Sequence, residues 1–153
     1  KINSNNNYDN DDLGGDEKEN DNDFPIIQII NIDIQPNTKC NINDPLELRI
    51  TFELDRDVVA AYWIIKFLVD STDKRVIRIL GETQVEDYPD GESEMIFSVD
   101  TIDISGISPS VLTNSGLLMA EFIVDGIAVA SVNMVINVQK SVNGDIVREI
   151  LNP

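Results

Sequence analysis

From Phe24 to the end of the chain, apolar and polar side chains alternate with a period of two, the spacing that sends successive residues of an extended strand to opposite faces of a sheet. The clearest case is LELRITFEL. Leu46, Leu48, Ile50, Phe52 and Leu54 share one face, while Glu47, Arg49, Thr51 and Glu53 share the other, which predicts a strand with one buried and one wet side. IIQIINIDI, Ile26 to Ile34, alternates in its second half, so Ile30, Ile32 and Ile34 are expected on one side and Asn31 and Asp33 on the other, with Pro36 ending the strand. Further strands are predicted in AYWIIKFLVDSTDKRVIRIL (a hairpin, Ala61 to Leu80), EMIFSV (Glu94 to Val99), LLMAEFIV (Leu117 to Val124), IAVASVNMVINV (Ile127 to Val138) and DIVREIL (Asp145 to Leu151).

The joints carry turn chemistry. Asp125-Gly126 and Asn143-Gly144 tolerate the positive φ angles of tight hairpins, and Asp90-Gly91 lies in a longer acidic loop. SGISPSVLTNSG, Ser105 to Gly116, reads as a crossover with a short helical turn after Pro109, and no stretch has the pattern of a long helix. Seven or eight short strands in about 130 residues, separated by turns, describe an all-β chain of the immunoglobulin-like β-sandwich class. With a single cysteine, Cys40, there is no internal disulfide, so stability must come from apolar burial between sheets, with Trp63 as the expected centre.

The hairpin at Ala61–Leu80 has two apolar faces. A two-residue turn at Thr72-Asp73 pairs Asp70 with Arg75, Leu68 with Ile77 and Lys66 with Ile79, and puts Trp63, Ile65, Phe67, Val69, Val76 and Leu80 toward the core with Arg78 as the only polar member. The opposite face then carries Tyr62, Ile64, Lys66, Leu68, Arg75, Ile77 and Ile79. It is apolar at the centre and charged at the rim, the make-up of a protein-binding patch. The alternative is that the crossover or the terminal segment of the same chain covers it.

Residues 1–23 break the pattern. KINSNNNYDNDDLGGDEKENDND holds seven Asn, eight acids and two Lys, with little apolar surface to bury, and is expected to be a disordered acidic tail ahead of a single folded domain at 24–153. DNDDLG, Asp9 to Gly14, resembles the start of a calcium-binding loop but fails at Leu13, and Asn20 stands where the loop needs its last glutamate. Over the whole chain 11 Lys and Arg face 28 Asp and Glu, a net charge of −17. That disfavours direct binding to nucleic acid or an anionic membrane and favours basic protein partners. No apolar run reaches the roughly 18 residues of a membrane span. The chain starts with Lys and no charged-then-apolar leader follows, as expected where a secretory signal is absent or removed. Together with the lone cysteine this predicts an intracellular setting: cytoplasm, cytoskeleton or nucleus.

Catalytic constellations are not found. There is no histidine, which removes the commonest general base and transition-metal ligand, and Cys40 has no imidazole to activate it. DST at Asp70–Thr72 and DTI at Asp100–Ile102 lack the Asp-Thr-Gly turn of aspartic proteases, and the glycines form no phosphate-cradling pattern. The expectation is a non-enzymatic protein without cofactor or metal.

The order of segments resembles the anti-silencing-function family of histone chaperones. The matching features are IIQIINIDI, DPLELRITFE (Asp44 to Glu53), the Trp strand YWIIKF, a Gly-containing loop before MIFSVD, a late strand opening at Gly116, and REILNP at the end. The resemblance implies a single acidic sandwich without enzymatic activity and, as one functional reading, histone binding. It carries over no functional residue. Around the tryptophan the chain reads DVVAAYW and then DKRVIR, basic where the family places acids, and its late strand is SVNMVINV. The other reading is a structural or adaptor module of a larger assembly, cytoskeletal or ciliary, held through the hairpin face.

Overall fold

The structure, a computed structural model, describes residues 24–70 and 74–152. The expected disordered tail at 1–23 and the turn at Thr72-Asp73 lie outside the described residues. The described chain is nearly all β. In order come β1 (Ile27–Gln35), β2 (Cys40–Asn41), β3 (Leu46–Leu54), β4 (Val58–Asp70), β5 (Arg75–Glu82), β6 (Glu86–Tyr88), β7 (Gly91–Val99), one helical turn α1 (Pro109–Leu112), β8 (Ser115–Val124), β9 (Ile127–Lys140) and β10 (Ile146–Ile150). Eight of these are the strands read from the sequence; the short β2 and β6 are additional, and α1 falls where Pro109 predicted a turn of helix.

All strand pairs are antiparallel and form two sheets. The smaller runs β1-β3-β7, and the larger runs β2-β10-β9-β8-β4-β5, with β6 also paired to β4. The inward residues of both sheets belong to one apolar core: Leu46, Leu48, Ile50, Phe52 and Leu54 from β3 are essentially inaccessible, as are Trp63, Ile65 and Phe67 from β4 and Leu118, Ala120 and Phe122 from β8. Phe52 stands 5.3 Å from Trp63, 5.5 Å from Tyr88 and 5.8 Å from Phe122, ring centre to ring centre. One side chain of the smaller sheet therefore meets three aromatics of the larger, each contact worth roughly 0.5–1.5 kcal/mol beyond burial. The crossover after β7 contributes Ile102 and Leu112 to this core.

In β1 the expected alternation slips by one residue. A bulge between Ile29 and Asn31 pushes Ile30 out to solvent, while Ile27, Ile29 and Ile32 pack against the core and Ile34 is buried in it. The extra residue of a bulge reverses the phase on one side of it, so Ile30 does not share a face with Ile32 and Ile34. The Asp125-Gly126 turn is as read: both residues have positive φ, 51° and 74°, and β8 and β9 pair directly up to Val124 and Ile127. Gly116, opposite Val69, permits the close approach of β8 to β4, since a Cβ there would stand 2.4 Å from the Leu68 carbonyl oxygen.

The closing strand is fastened by a buried charge. Arg148 on β10 is 1% exposed, and its Nη1 donates to the carbonyls of Asn41 (3.2 Å), Ile42 (2.7 Å) and Asp44 (2.8 Å), while Nη2 donates to that of Pro45 (2.8 Å). The segment from β2 to β3 is thus wrapped around one guanidinium. Burial pushes the arginine's pKa down, and the charges of Cys40 and Asp44 oppose the shift. Removing the side chain strands four carbonyls that folded around it. Arg148→Ala is expected to destabilise the protein by about 3 kcal/mol or more in urea unfolding, with Arg148→Lys recovering part of the loss. A loss under about 1 kcal/mol would show that water replaces the guanidinium freely.

Candidate functional site: the outer face of the larger sheet

Along β4 the side chains of Trp63, Ile65, Phe67 and Val69 point into the core, so Tyr62, Ile64, Lys66 and Leu68 take the opposite face. β5 pairs with β4 as Asp70↔Arg75, Leu68↔Ile77 and Lys66↔Ile79, the register expected from a two-residue turn, before a bulge at Ile65/Lys66. Arg75, Ile77 and Ile79 therefore stand on the same outer face as the four β4 residues, and all seven sequence-identified positions are brought together. On β5's inner side Val76 and Leu80 pack against the core, and Arg78 donates to the Ser105 carbonyl, tethering the crossover.

Exposure differs among the seven. Ile77 and Ile79 are 52% and 63% exposed, and Tyr62, Ile64 and Lys66 are half-buried. Leu68 is buried at 5%, set in register between Ile77 and Leu117, so it supports the surface from below. The crossover does not cover this face: its Ile102 and Leu112 belong to the core.

The larger sheet extends the patch beyond the hairpin. Leu68 pairs with Leu117 on β8, and Leu117 with Val135 on β9. The row Ile77, Leu68, Leu117, Val135 is apolar across four strands, and the amide of Leu151 bonds to the Val135 carbonyl at its end. Val135 and Leu151 are 40% and 43% exposed. The next row, Ile79, Lys66, Met119, Asn133, turns polar at its far end. Leu117, Met119, Glu121 and Val135 were not among the expected site residues. The signal was present in LLMAEFIV, where Leu118, Ala120 and Phe122 face inward and leave Leu117, Met119 and Glu121 outward.

The lysine in the patch is partnered. Lys66 Nζ lies 3.1 Å from Glu121 Oε2, with side chains 24% and 15% exposed. This cross-strand pair explains how a lysine sits among isoleucines: its ammonium is neutralised in place while the stem covers apolar surface. Among the described residues the surface offers apolar area with one internal ion pair. Cys40, half-buried on β2, has its thiol pKa pushed up, chiefly by burial, which opposes thiolate formation. No protein-family model matches the chain, and a search of the curated proteins finds no match.

Lys66→Met leaves the Glu121 carboxylate against apolar neighbours without its counter-charge and is expected to cost roughly 1–2 kcal/mol in urea unfolding. Replacing both members, Lys66→Met with Glu121→Met, is expected to restore most of that stability. A double variant no more stable than the single one would mean that the ion pair is not what settles Glu121.

Proposed function

We propose that the chain is a non-enzymatic protein-interaction module, built as an immunoglobulin-like sandwich, that serves as a structural or adaptor part of a larger intracellular assembly and docks through the outer face of its larger sheet. The observation that carries this reading is the apolar row from Ile77 to Val135, continued by Leu151, whose outermost members stand 40–52% exposed. Single exposed apolar residues are ordinary; a row across four strands, ringed by Arg75 and Asn133 and with its one lysine already neutralised, has the make-up of an interface centre. The immunoglobulin-like description draws support from the two antiparallel sheets, the strand order β1-β3-β7, which requires the chain to cross between sheets, and the tryptophan buried at their joint.

A second reading, an acidic chaperone of histones or other basic proteins, is favoured by the net charge of −17. Ionic strength separates the two. Binding through an apolar face weakens little between low and physiological salt, whereas capture of a basic protein by surface acids weakens steeply.

Ile77→Asp combined with Ile79→Asp places carboxylates at the two most exposed apolar positions of the hairpin face without touching the core. The near-ultraviolet circular dichroism of Trp63 is expected to be unchanged. The protein partner recovered with the native chain by affinity purification and mass spectrometry is expected to be lost. Retention of that partner at native yield would remove this face as the docking surface.

A further inference from the structure

β5 ends the larger sheet, with β4 on one side and, among the described residues, no strand on the other. The main-chain groups on its free side can be identified. On β4 the Trp63 amide donates to Thr83 Oγ1 and the Trp63 carbonyl accepts from the Thr83 amide, both at 2.9 Å, so Trp63 turns its main chain toward β5 and β6. Every second residue of a strand turns the same way, and the bulge opposite Ile65/Lys66 puts its extra residue, Leu80, on β5 and leaves β4 regular. Phe67 and Val69 therefore bond to their partners Arg78 and Val76. The amides and carbonyls of Arg75, Ile77 and Ile79 are left pointing out along the free edge, beside two isoleucine side chains that are themselves exposed.

Sheets keep their edges from pairing with proline, lysine, inward charges, bulges, short strands or a covering segment. The other edges of this molecule carry such devices. β1 has a bulge and takes a hydrogen bond from Asn152 Nδ2 at the Ile32 carbonyl, 2.9 Å; β2 is two residues long; and β7 carries Glu92 and Glu94 on its outward face. On β5 the same devices leave Arg75 to Ile79 open. The bulge comes after Ile79, and the inward charge, Arg78, donates to the Ser105 carbonyl on the inner side. Charge singles out the same edge. The hairpin Ala61–Leu80 carries four of the chain's 11 bases and only two of its 28 acids, so two copies, each at −17, repel least when they approach along it.

The edge is also complementary to itself. A twofold axis normal to the sheet makes two β5 strands antiparallel and keeps both outer faces on one side, so only residues of like facing can pair. With the axis at Ile77, each Ile77 meets its symmetry mate, Arg75 meets Ile79 and Val76 meets Arg78, and no like charges stand opposite one another. The edge-facing amide and carbonyl of Ile77 then exchange two hydrogen bonds with those of the mate, as the main-chain directions require. An axis at Arg78 sets two guanidiniums opposite each other, and an axis at Val76 leaves Ile79 beyond the paired stretch. The axis at Ile77 also makes the apolar row continuous, from Val135 through Leu117, Leu68 and Ile77 to the same four residues of the second copy. We propose that the chain forms a twofold homodimer by antiparallel pairing of β5 with β5, centred on Ile77, which joins the two larger sheets edge to edge. The dimer is independent of the docking reading, which concerns the face of the sheet and not its edge.

The test measures the mass of the full chain by sedimentation across a wide range of concentration, where an equilibrium between monomer and dimer is expected. Ile77→Pro removes the amide that points along the free edge without removing a bond to β4. It is expected to weaken dimerisation by about tenfold or more while the near-ultraviolet circular dichroism of Trp63 stays unchanged. Ile77→Thr keeps the amide and is expected to retain more of the dimer than Ile77→Pro. Val135→Asp, three strands away on the same face, is expected to keep the dimer while losing the docked partner, so that the two readings fail separately. In a Cys40→Ser background, Ile77→Cys is expected to cross-link into a covalent dimer under mild oxidation and Val135→Cys is not, which tests the register without a proline. The proposal is overturned if the chain stays monomeric at every concentration, if Ile77→Pro dimerises like the parent, if Val135→Asp abolishes the dimer, or if Val135→Cys cross-links as readily as Ile77→Cys.

Discussion

The structure depends on the interlock of Phe52 with Trp63, Phe122 and Tyr88. The two sheets are separate hydrogen-bonded networks, so packing between their inner faces is what holds them in fixed relation, and the aromatic cluster joins side chains of both. Trp63 also lies 5.0 Å from Phe122, so the cluster spans β3, β4, β6 and β8. The joint has a cost. Trp63 Nε1 is buried without a partner, a penalty of about 1–3 kcal/mol that aromatic burial of similar or larger size must offset. The relation of β7 to β6 follows from how this cluster sets one sheet on the other.

Much of this was legible in the sequence because alternation is a strong constraint when one face is buried. LELRITFEL has the burial pattern its spelling implies, and the hairpin register from Lys66 to Arg75 follows from matching two apolar faces across a short turn. Where apolar residues stand side by side, alternation loses its power. In IIQIINIDI several phases bury similar numbers of isoleucines, and the chain takes a bulge that exposes Ile30 and lets Ile27 and Ile29 join the core. Leu68 is a related case: chemistry puts it on the outer face, but its burial depends on Leu117, a residue far along the chain whose pairing no local pattern announces.

The features that sequence reasoning missed are those made by long-range backbone contacts. Arg148 looks like a solvent-facing member of a short strand, yet its guanidinium is filled by four carbonyls more than a hundred residues earlier. Nothing in IVREI specifies that, because the partners are main-chain atoms common to every sequence. The break between β5 and β6 is similar. An acidic loop was readable in GETQVEDYPDGESE, but that this loop keeps pairing with β4 and leaves a cavity against β7 is a property of the packed sheets.

The apolar row and the chain's net charge act on a partner by different physics. The row from Ile77 to Val135 gains by removing apolar area from water, an attraction that is short-ranged and indifferent to salt. The net charge acts at a distance. With 28 acids against 11 bases, the chain's field draws basic segments inward and raises encounter rates, but exposed carboxylates by themselves hold little once ions screen them. For a basic partner docking on the apolar row, long-range charge sets how often it arrives and apolar burial determines how long it stays, because rates of association respond to charge and rates of departure to packing.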